Sequence, residues 1–383
     1  MLSSNLETSE TTYQLFAVCP LGIEAILANE LKCLGIKGEL TQGGVEFSGD
    51  LLTLYSVNLW LRSASRVLVR IGQFKLLSLK EAPEKFARYP WEIYLGNKKR
   101  VRIRAACHKS KIYHSDAIAE RLAKGISKRL KREITIVKES QDSKAPLIFV
   151  RLFKDRCTIS VDSSGEHLYK RGYKRFTVSA PIRENLAAAM LLASNYSGDK
   201  PLIDPFCGSG TIVAEAAMIA ARIPPGRKRK FAFMKWKNFD KSLWTKIVQH
   251  SECFKKRPPF PIIGLDKDEN AIIAATANIQ EANLSEFITL KKQNILSFIP
   301  SDISPGIIVT NPPYGKRTKE NDSLLDFYSE LGKHFKTRFV NWEISLILPQ
   351  NYPNLKRSLG LSLKKVTSFS NGGIKVDLLT GTL

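Results

Sequence analysis

The chemistry of this sequence concentrates in four residues, Asn311-Pro312-Pro313-Tyr314, which follow the apolar run Ile307–Thr310 and precede Gly315. Two prolines stiffen the turn and free the preceding carbonyls from helical hydrogen bonds. The Asn311 side-chain oxygen and the Pro312 carbonyl could then accept both hydrogens of an exocyclic amine, and Tyr314 offers an aromatic face to a base. An aryl amine is a poor nucleophile because its lone pair is delocalised into the ring. Two acceptors draw the nitrogen toward tetrahedral geometry and expose that pair, with no metal and no covalent enzyme intermediate required.

A second cluster, Asp204-Pro205-Phe206-Cys207-Gly208-Ser209-Gly210-Thr211, stands between a short apolar strand and an alanine-rich helix. Gly208 and Gly210 allow a tight turn and a close-lying ligand, and the helix opening at Thr211 offers unpaired amides. Val213 replaces the third small residue of the dinucleotide pattern, which disfavours a nicotinamide dehydrogenase. Asp204, at the strand's carboxyl end, suits a ligand ammonium, and so an amino-acid-bearing cofactor, better than a pyrophosphate. In Gly264-Leu265-Asp266 the next strand ends in a carboxylate that could accept from both hydroxyls of a ribose. A helix cap ahead of Asp268-Glu269 is the other use for Asp266. Asp204 and Asp266 lie 62 residues apart, more than one strand–helix–strand unit needs, so an insertion must intervene. Cys207 sits in the loop with no second cysteine near Asn311, which argues against cysteine-based methyl transfer.

These groups need a rigid frame, and from Ser179 onward the pattern supplies one. Apolar strands at Pro201–Ile203, Ile262–Leu265, Ile288–Leu290, Ile307–Thr310 and Ile344–Leu348 alternate with helices at Ile182–Ser194, Thr211–Ala221, Asn270–Ala282 and Leu324–Phe335. That is the mark of an open parallel α/β sheet. The first part reads differently. Short strands (Tyr13–Cys19, Glu39–Thr41, Val45–Phe47, Arg66–Phe74, Val101–Cys107, Leu147–Phe153, Cys157–Val161) mix with helices at Gly22–Cys33, Leu51–Leu61 and Asp116–Arg132. On Val101–Cys107 the alternation sets Arg102 and Arg104 on one wet, basic face. On Asp116–Arg132, Ile118, Leu122, Ile126 and Leu130 form a stripe opposite Lys124, Lys128 and Lys131.

The formal net charge is +23, and the basic excess is concentrated between residues 51 and 250. Such a surface attracts a polyanion by counterion release, and nucleic acid is the commonest one. Within the insertion, residues 222–257 hold twelve Lys or Arg against Asp240 and Glu252, with Phe231, Phe233, Trp236, Phe239 and Trp244. Those aromatics suit stacking on single-stranded RNA or packing of the insertion against the sheet. The six cysteines are never closer than 14 residues, which excludes a CxxC pair and suggests free thiols in a reducing cytosol. No run reaches the length of a membrane span, and Met1–Glu10 carries neither the basic nor the apolar block of a secretory signal.

Taken together, the glycine loop, Asp266 and Asn311–Tyr314 resemble the first, second and fourth motifs of class I methyltransferases that act on exocyclic amines. More narrowly, the chain resembles the THUMP-domain RNA guanine-N2 methyltransferases, closest to the bacterial enzymes of 23S rRNA. The features span nearly the whole chain: Phe16–Glu24, the Lys170–Lys174 run with Arg171 and Lys174, Ala180–Ala188, Ile223-Pro224-Pro225-Gly226 and Asn371-Gly372-Gly373. The resemblance implies a ferredoxin-like lobe (1–60), a THUMP α+β RNA-binding module (61–165) and a Rossmann-like methyltransferase domain (166–383) with its basic insertion at 222–260. It implies S-adenosyl-L-methionine as cofactor, held by Asp204–Gly208, Gly210, Thr211, Asp266, Asn294 and Asn311. Asn294 departs from the pattern, which has an acid there; its amide oxygen can still accept from the adenine amine. Arg102, Arg104, Lys124, Lys128, Lys131, Arg171 and Lys174 are the expected RNA contacts. The expected substrate is 23S rRNA, with tRNA, a DNA adenine-N6 target or a non-catalytic ribosome-assembly role as rivals. A cytoplasmic monomer without metal or membrane contact is expected. Many bacterial relatives carry a second methyltransferase domain, for which this chain is too short.

Overall fold

In the computed structural model, residues 11–178, 181–314 and 322–383 are described; Ser179, Ala180 and Gly315 lie outside them. The period-two segments of the first part build one eight-stranded sheet. Its strands are β1 (Tyr13–Val18), β2 (Glu39–Thr41), β3 (Gly44–Gly49), β4 (Arg66–Lys75), β5 (Arg100–His108), β6 (Thr135–Ile136), β7 (Leu147–Phe153) and β8 (Arg156–Asp162). They run in the order β2-β3-β1-β4-β8-β7-β5-β6. Strand β4 pairs with β1 on one side and β8 on the other, so the two N-terminal units share a single sheet. Helices α1 (Glu24–Cys33), α2 (Leu51–Trp60), α3 (Ala82–Ala87), α4 (Trp91–Leu95) and α5 (Ser115–Leu130) accompany it. Helix α5 buries Ile118, Leu122 and Ile126, as its stripe requires. Helices α3 and α4 had no clear periodic signature.

The second sheet contains β9 (Leu202–Asp204), β10 (Ile262–Asp266), β11 (Thr289–Lys292), β12 (Ile307–Thr310), β13 (Glu343–Pro349), β14 (Lys364–Asn371) and β15 (Ile374–Thr382). The order β11-β10-β9-β12-β13-β15-β14 reverses between β9 and β12, the switch point at which α/β sheets bind ligands. Strands β9 to β13 are parallel, and the inner ones are buried along most of their length because α6 (Glu184–Ala193), α7 (Thr211–Ala220), α9 (Glu269–Glu281), α10 (Asp322–Arg338) and their neighbours accompany them. The expected all-parallel sheet is corrected at its edge: β15 runs antiparallel to both β13 and β14. Gly372 and Gly373, both at positive φ, form the two-residue turn that makes this hairpin.

The insertion between α7 and β10 carries α8 (Lys241–Glu252) and packs against the first sheet's helices. Phe233 stacks on Tyr55 of α2 at 4.5 Å, Phe231 stacks on Phe233 at 5.3 Å, and Trp244 meets both phenylalanines edge-on. These rings therefore form an interdomain core, and the base-stacking reading of the insertion is set aside. Short α11 (Pro353–Leu359) completes the catalytic part.

Three basic residues expected on RNA are structural instead. Arg171 is buried and lies 3.2 Å from Glu215 of α7; it also donates to the carbonyls of Leu168 and Arg62. Lys174 is largely covered and donates to the Ile182 carbonyl. Arg102 is buried on β5, donates to the Ala145 carbonyl and faces Glu139. A guanidinium has five donors to satisfy, and these partners lie too far along the chain for local spacing to show them. Breaking a buried ion pair leaves an uncompensated charge at a cost of about 3–5 kcal/mol. Glu215→Gln is therefore expected to lower the unfolding free energy by about that much, read from urea denaturation, whereas exposed Glu286→Gln changes it little. A loss below about 1 kcal/mol would remove this pair from the ties that hold the domains together.

Candidate active site

Asp204 closes β9, and its side chain turns inward rather than to solvent. Its Oδ1 accepts from the Thr310 hydroxyl at 2.7 Å and from the Phe206 amide at 3.2 Å. Burial is the main reason that its pKa rises to about 7; the two hydrogen bonds oppose the rise and nearby Asp266 adds to it. The loop that follows turns at Gly208 and Gly210, both at positive φ. A Cβ on Gly210 would come within 3.1 Å of Ala275 in α9, so the helix packing also requires glycine there. Thr211 then opens α7, and its amide end faces the loop.

Asp266 ends the neighbouring strand β10. One carboxylate oxygen accepts from the Gly208 amide and the other from the Asp268 amide, both at 3.0 Å. The residue thus shapes the glycine loop while its remaining lone pairs stay available to hydroxyl donors. Asp268, not Asp266, caps α9. Cys207 is buried against Gly264, and burial with Asp204 and Asp266 pushes its thiol well above the usual range. Such a thiol stays protonated and is no nucleophile. Pro205 is buried, while Phe206 is partly open and meets Phe327 of α10 edge-on at 6.0 Å. Asn294 is exposed after β11, and its side-chain oxygen caps the short turn 295–297 by accepting from the Leu296 amide.

Asn311, half-buried, and buried Pro312 follow Thr310 at the carboxyl end of β12, directly across the switch point from the glycine loop. The corner is held from two sides. Tyr328 of α10 donates to the Pro313 carbonyl at 3.2 Å, and Asn371 of the edge hairpin donates to the Tyr314 hydroxyl at 2.9 Å. Tyr314 is only 6% exposed, so a base can stack on it only after what covers the ring has moved. Four positioning residues escaped the sequence reading: Thr310 as a partner of Asp204, Tyr328, Asn371 as a tyrosine anchor, and Asn278. The Asn278 oxygen accepts from the Arg175 and Phe176 amides, while its nitrogen donates to the Phe176 and Ser209 carbonyls. It therefore sews the interdomain segment to the glycine loop. Thr310 ended the strand before the proline string and Asn371 headed the Asn-Gly-Gly string, but neither position showed its partner.

Comparison with known sequences places this geometry. The profile described as the RMKL-like methyltransferase domain matches residues 171–379, that of the RlmL ferredoxin-like domain residues 14–68, and that of the THUMP domain residues 78–162. The chain belongs to the RMKL-like methyltransferase family. Its fold is accordingly a ferredoxin-like lobe and a THUMP domain joined to a class I methyltransferase sheet. A relative from Bacillus subtilis, YpsC, provisionally named an RNA methyltransferase, is 33% identical over 95% of this chain and 94% of its own. The ribosomal RNA large subunit methyltransferase K/L of Syntrophotalea carbinolica is 34% identical over 96% of this chain, which spans only 53% of that protein. Among solved structures, SMU.472, provisionally named a methyltransferase and complexed with SAH, has a TM-score of 0.86 and 31% identity. That match covers 97% of this chain and 98% of SMU.472.

The elevated pKa of Asp204 has a consequence measurable without any ligand. The folded state holds this proton up to about pH 7, whereas an unfolded aspartate releases it near 3.8. The stability contributed by the neutral carboxyl is present in full below pH 3.8 and is lost as pH rises through about 7. Asp204→Asn should make the decline in denaturation free energy between those limits shallower than in the parent chain. Superimposable curves would show that the carboxyl is solvated.

Proposed function

We propose that this chain transfers a methyl group from S-adenosyl-L-methionine to the exocyclic N2 of a guanine in 23S rRNA. The observation that carries the reading is the placement of Asn311-Pro312 across the sheet's switch point from Asp204 and the glycine loop, with Thr310 bonding the two halves. The residues fit the cofactor. Asp204 is a buried carboxyl that forms no ion pair among the described residues, suited to an ammonium, and Asp266 is suited to ribose hydroxyls. Gly208 and Gly210, both at positive φ, let the loop turn tightly, and the Asn294 oxygen keeps a lone pair for the adenine amine. When bound, the cofactor supplies a methyl group made electrophilic by its sulfonium.

The chain's own residues do the rest. The Asn311 oxygen and the Pro312 carbonyl accept the two N–H hydrogens of the guanine amine, which localises the nitrogen lone pair for attack. Pro312 and Pro313, pinned by Tyr328, keep those acceptors from relaxing away. The target base must leave its stack at a cost of a few kcal/mol, which contacts elsewhere on the RNA offset. Those contacts come from the exposed basic residues of the THUMP domain, Arg104, Lys124, Lys128 and Lys131. Lys128 already pairs with Glu84 and Arg104 with Glu139, so phosphate competes with a carboxylate at those two positions. Named rRNA and RNA relatives and the basic surface support RNA over DNA. Six free thiols fit a cytoplasmic enzyme.

Asn311→Ala should cut single-turnover methyl transfer by about 10²–10³-fold with cofactor affinity nearly unchanged, because an acceptor made only in the transition state is lost. Mass spectrometry of nucleosides from rRNA and tRNA treated with the parent enzyme should show N2-methylguanosine in 23S rRNA. N6-methyladenosine, or product confined to tRNA, would replace this reading. Lys124→Ala with Lys128→Ala should weaken RNA binding and lower the slope of log affinity against log salt by about 1.4–1.8. An unchanged slope would move the binding face off α5.

A further inference from the structure

A cavity of about 640 Å³ opens where the THUMP domain, the segment after β8 and the insertion meet, away from the residues assigned above to catalysis. Its size falls within the roughly 300–1,000 Å³ of pockets that enclose small organic ligands. Nine basic residues line it against two acidic ones, Asp162 and Glu166. Asp162 is already neutralised by a buried pair with Arg66, and Glu166 by Lys170. Lys98, Lys144, Lys230 and Lys235, by contrast, are exposed and form no ion pair among the described residues. Like charges gathered on the rim of one cavity raise its potential, and none of the four is taken up by an ion pair among the described residues.

The wall of the cavity adds an independent observation. Arg229 spends its two terminal nitrogens on the carbonyls of Glu166, His167 and Lys170, all neutral acceptors. Among the described residues its Nε, which is buried, has no partner, and no carboxylate forms an ion pair with it. The guanidinium lies over Phe231, which with Trp236 supplies an apolar flank. A largely covered guanidinium outside any ion pair among the described residues, an apolar flank and four unpaired ammonium groups together match one chemistry. It is a phosphate-bearing nucleotide in an unpaired stretch of RNA.

We propose that this junction cavity binds a single-stranded nucleotide of the RNA substrate, its phosphate held by Lys98, Lys144, Lys230 and Lys235, with the Arg229 guanidinium adding its charge to the wall. The assignment rests on the RNA reading given above and extends it to a site that engages both the THUMP domain and the insertion. It also gives the insertion's basic residues a role distinct from its packed aromatics. The floor of the cavity includes Arg171, whose partner Glu215 stands on the helix opened by the glycine loop. RNA seated there would rest on the same ties that position the cofactor loop.

The test uses the full chain and a mixed-sequence single-stranded RNA oligonucleotide carrying 4-thiouridine. Replacing all four lysines by alanine should weaken binding at least about tenfold and lower the salt slope by about 0.7, the value for one phosphate contact on a single strand. The four-arginine variant should restore both, and S-adenosylmethionine affinity should not change in either. Photocrosslinks should fall on peptides containing residues 228–236 or 143–147. Unchanged affinity and slope in the alanine variant, or crosslinks confined to other surfaces, would overturn the proposal. So would competition by free guanosine monophosphate as effective as that by the oligonucleotide, since the cavity would then be a mononucleotide site. Methyl transfer to rRNA is followed in parallel. Crosslinking in the cavity without transfer supports this site while sinking the catalytic reading; transfer unaffected by the four alanines sinks this site alone.

Discussion

One hydrogen bond, from the Thr310 hydroxyl to the Asp204 carboxyl at 2.7 Å, sets the distance between the two halves of the site. Strands β9 and β12 pair only through Leu202–Ile203 and Ile307–Ile308. Beyond those rungs the backbones diverge, one into the glycine loop and the other into the proline corner. The side-chain bond takes over where the ladder stops. It lies in a buried setting where hydrogen bonds are electrostatically stronger and an unmatched carboxylate is costly. The elevated proton affinity of Asp204 measures what remains unmatched, and it is the state expected of a carboxylate built to receive a cation.

Around that bond the supports come from every side of the fold. Tyr328 and Asn371 reach the proline corner from a helix and from the sheet edge, and Asn278 ties the interdomain segment to Ser209. The N-terminal part is bound in as well. Arg62 donates to the carbonyls of Met218 and Ile223 at the end of α7, and Gly22 lies so close to β14 that a Cβ would strike the Ser368 carbonyl. Domains joined by small polar interfaces are free to move; a buried aromatic core and buried arginine ties oppose that motion. The THUMP domain and the proline corner are thus tied together, and on the proposed reading that relation selects which nucleotide of a bound RNA reaches the corner.

Much of this was legible beforehand, and the reasons are local. Strands β4, β5, β7 and β8 show as period-two runs, and β12 as an unbroken apolar run ending in the proline string, because burial on one or both faces is written into neighbouring residues. The positions of Asp204, Asp266 and Asn311 at or just past strand ends were legible because an apolar run precedes each of them. What stayed hidden depends on partners distant in the chain. Arg171 and Arg102 looked like surface charge until Glu215 and Glu139 were seen opposite them. The antiparallel direction of β15 follows from a two-glycine turn whose strands carry no helix between them, and the packed aromatics of the insertion required Tyr55, far upstream.

The basic excess divides along a chemical line. Arg62, Arg66, Arg102, Arg171 and Arg229 go inward, where a planar fork of five donors can be satisfied by several carbonyls or a carboxylate. Lys98, Lys124, Lys144, Lys230 and Lys235 stay outside, since an ammonium is more strongly hydrated and costs more to bury. Lys174 is the exception, and its single bond to the Ile182 carbonyl, with burial lowering its pKa, shows how little an ammonium gains by going in. Net charge therefore overstates the surface offered to a polyanion where arginines are buried. On the proposed reading the RNA is met mainly by these exposed lysines, while the buried arginines build the frame that holds them in register with the proline corner.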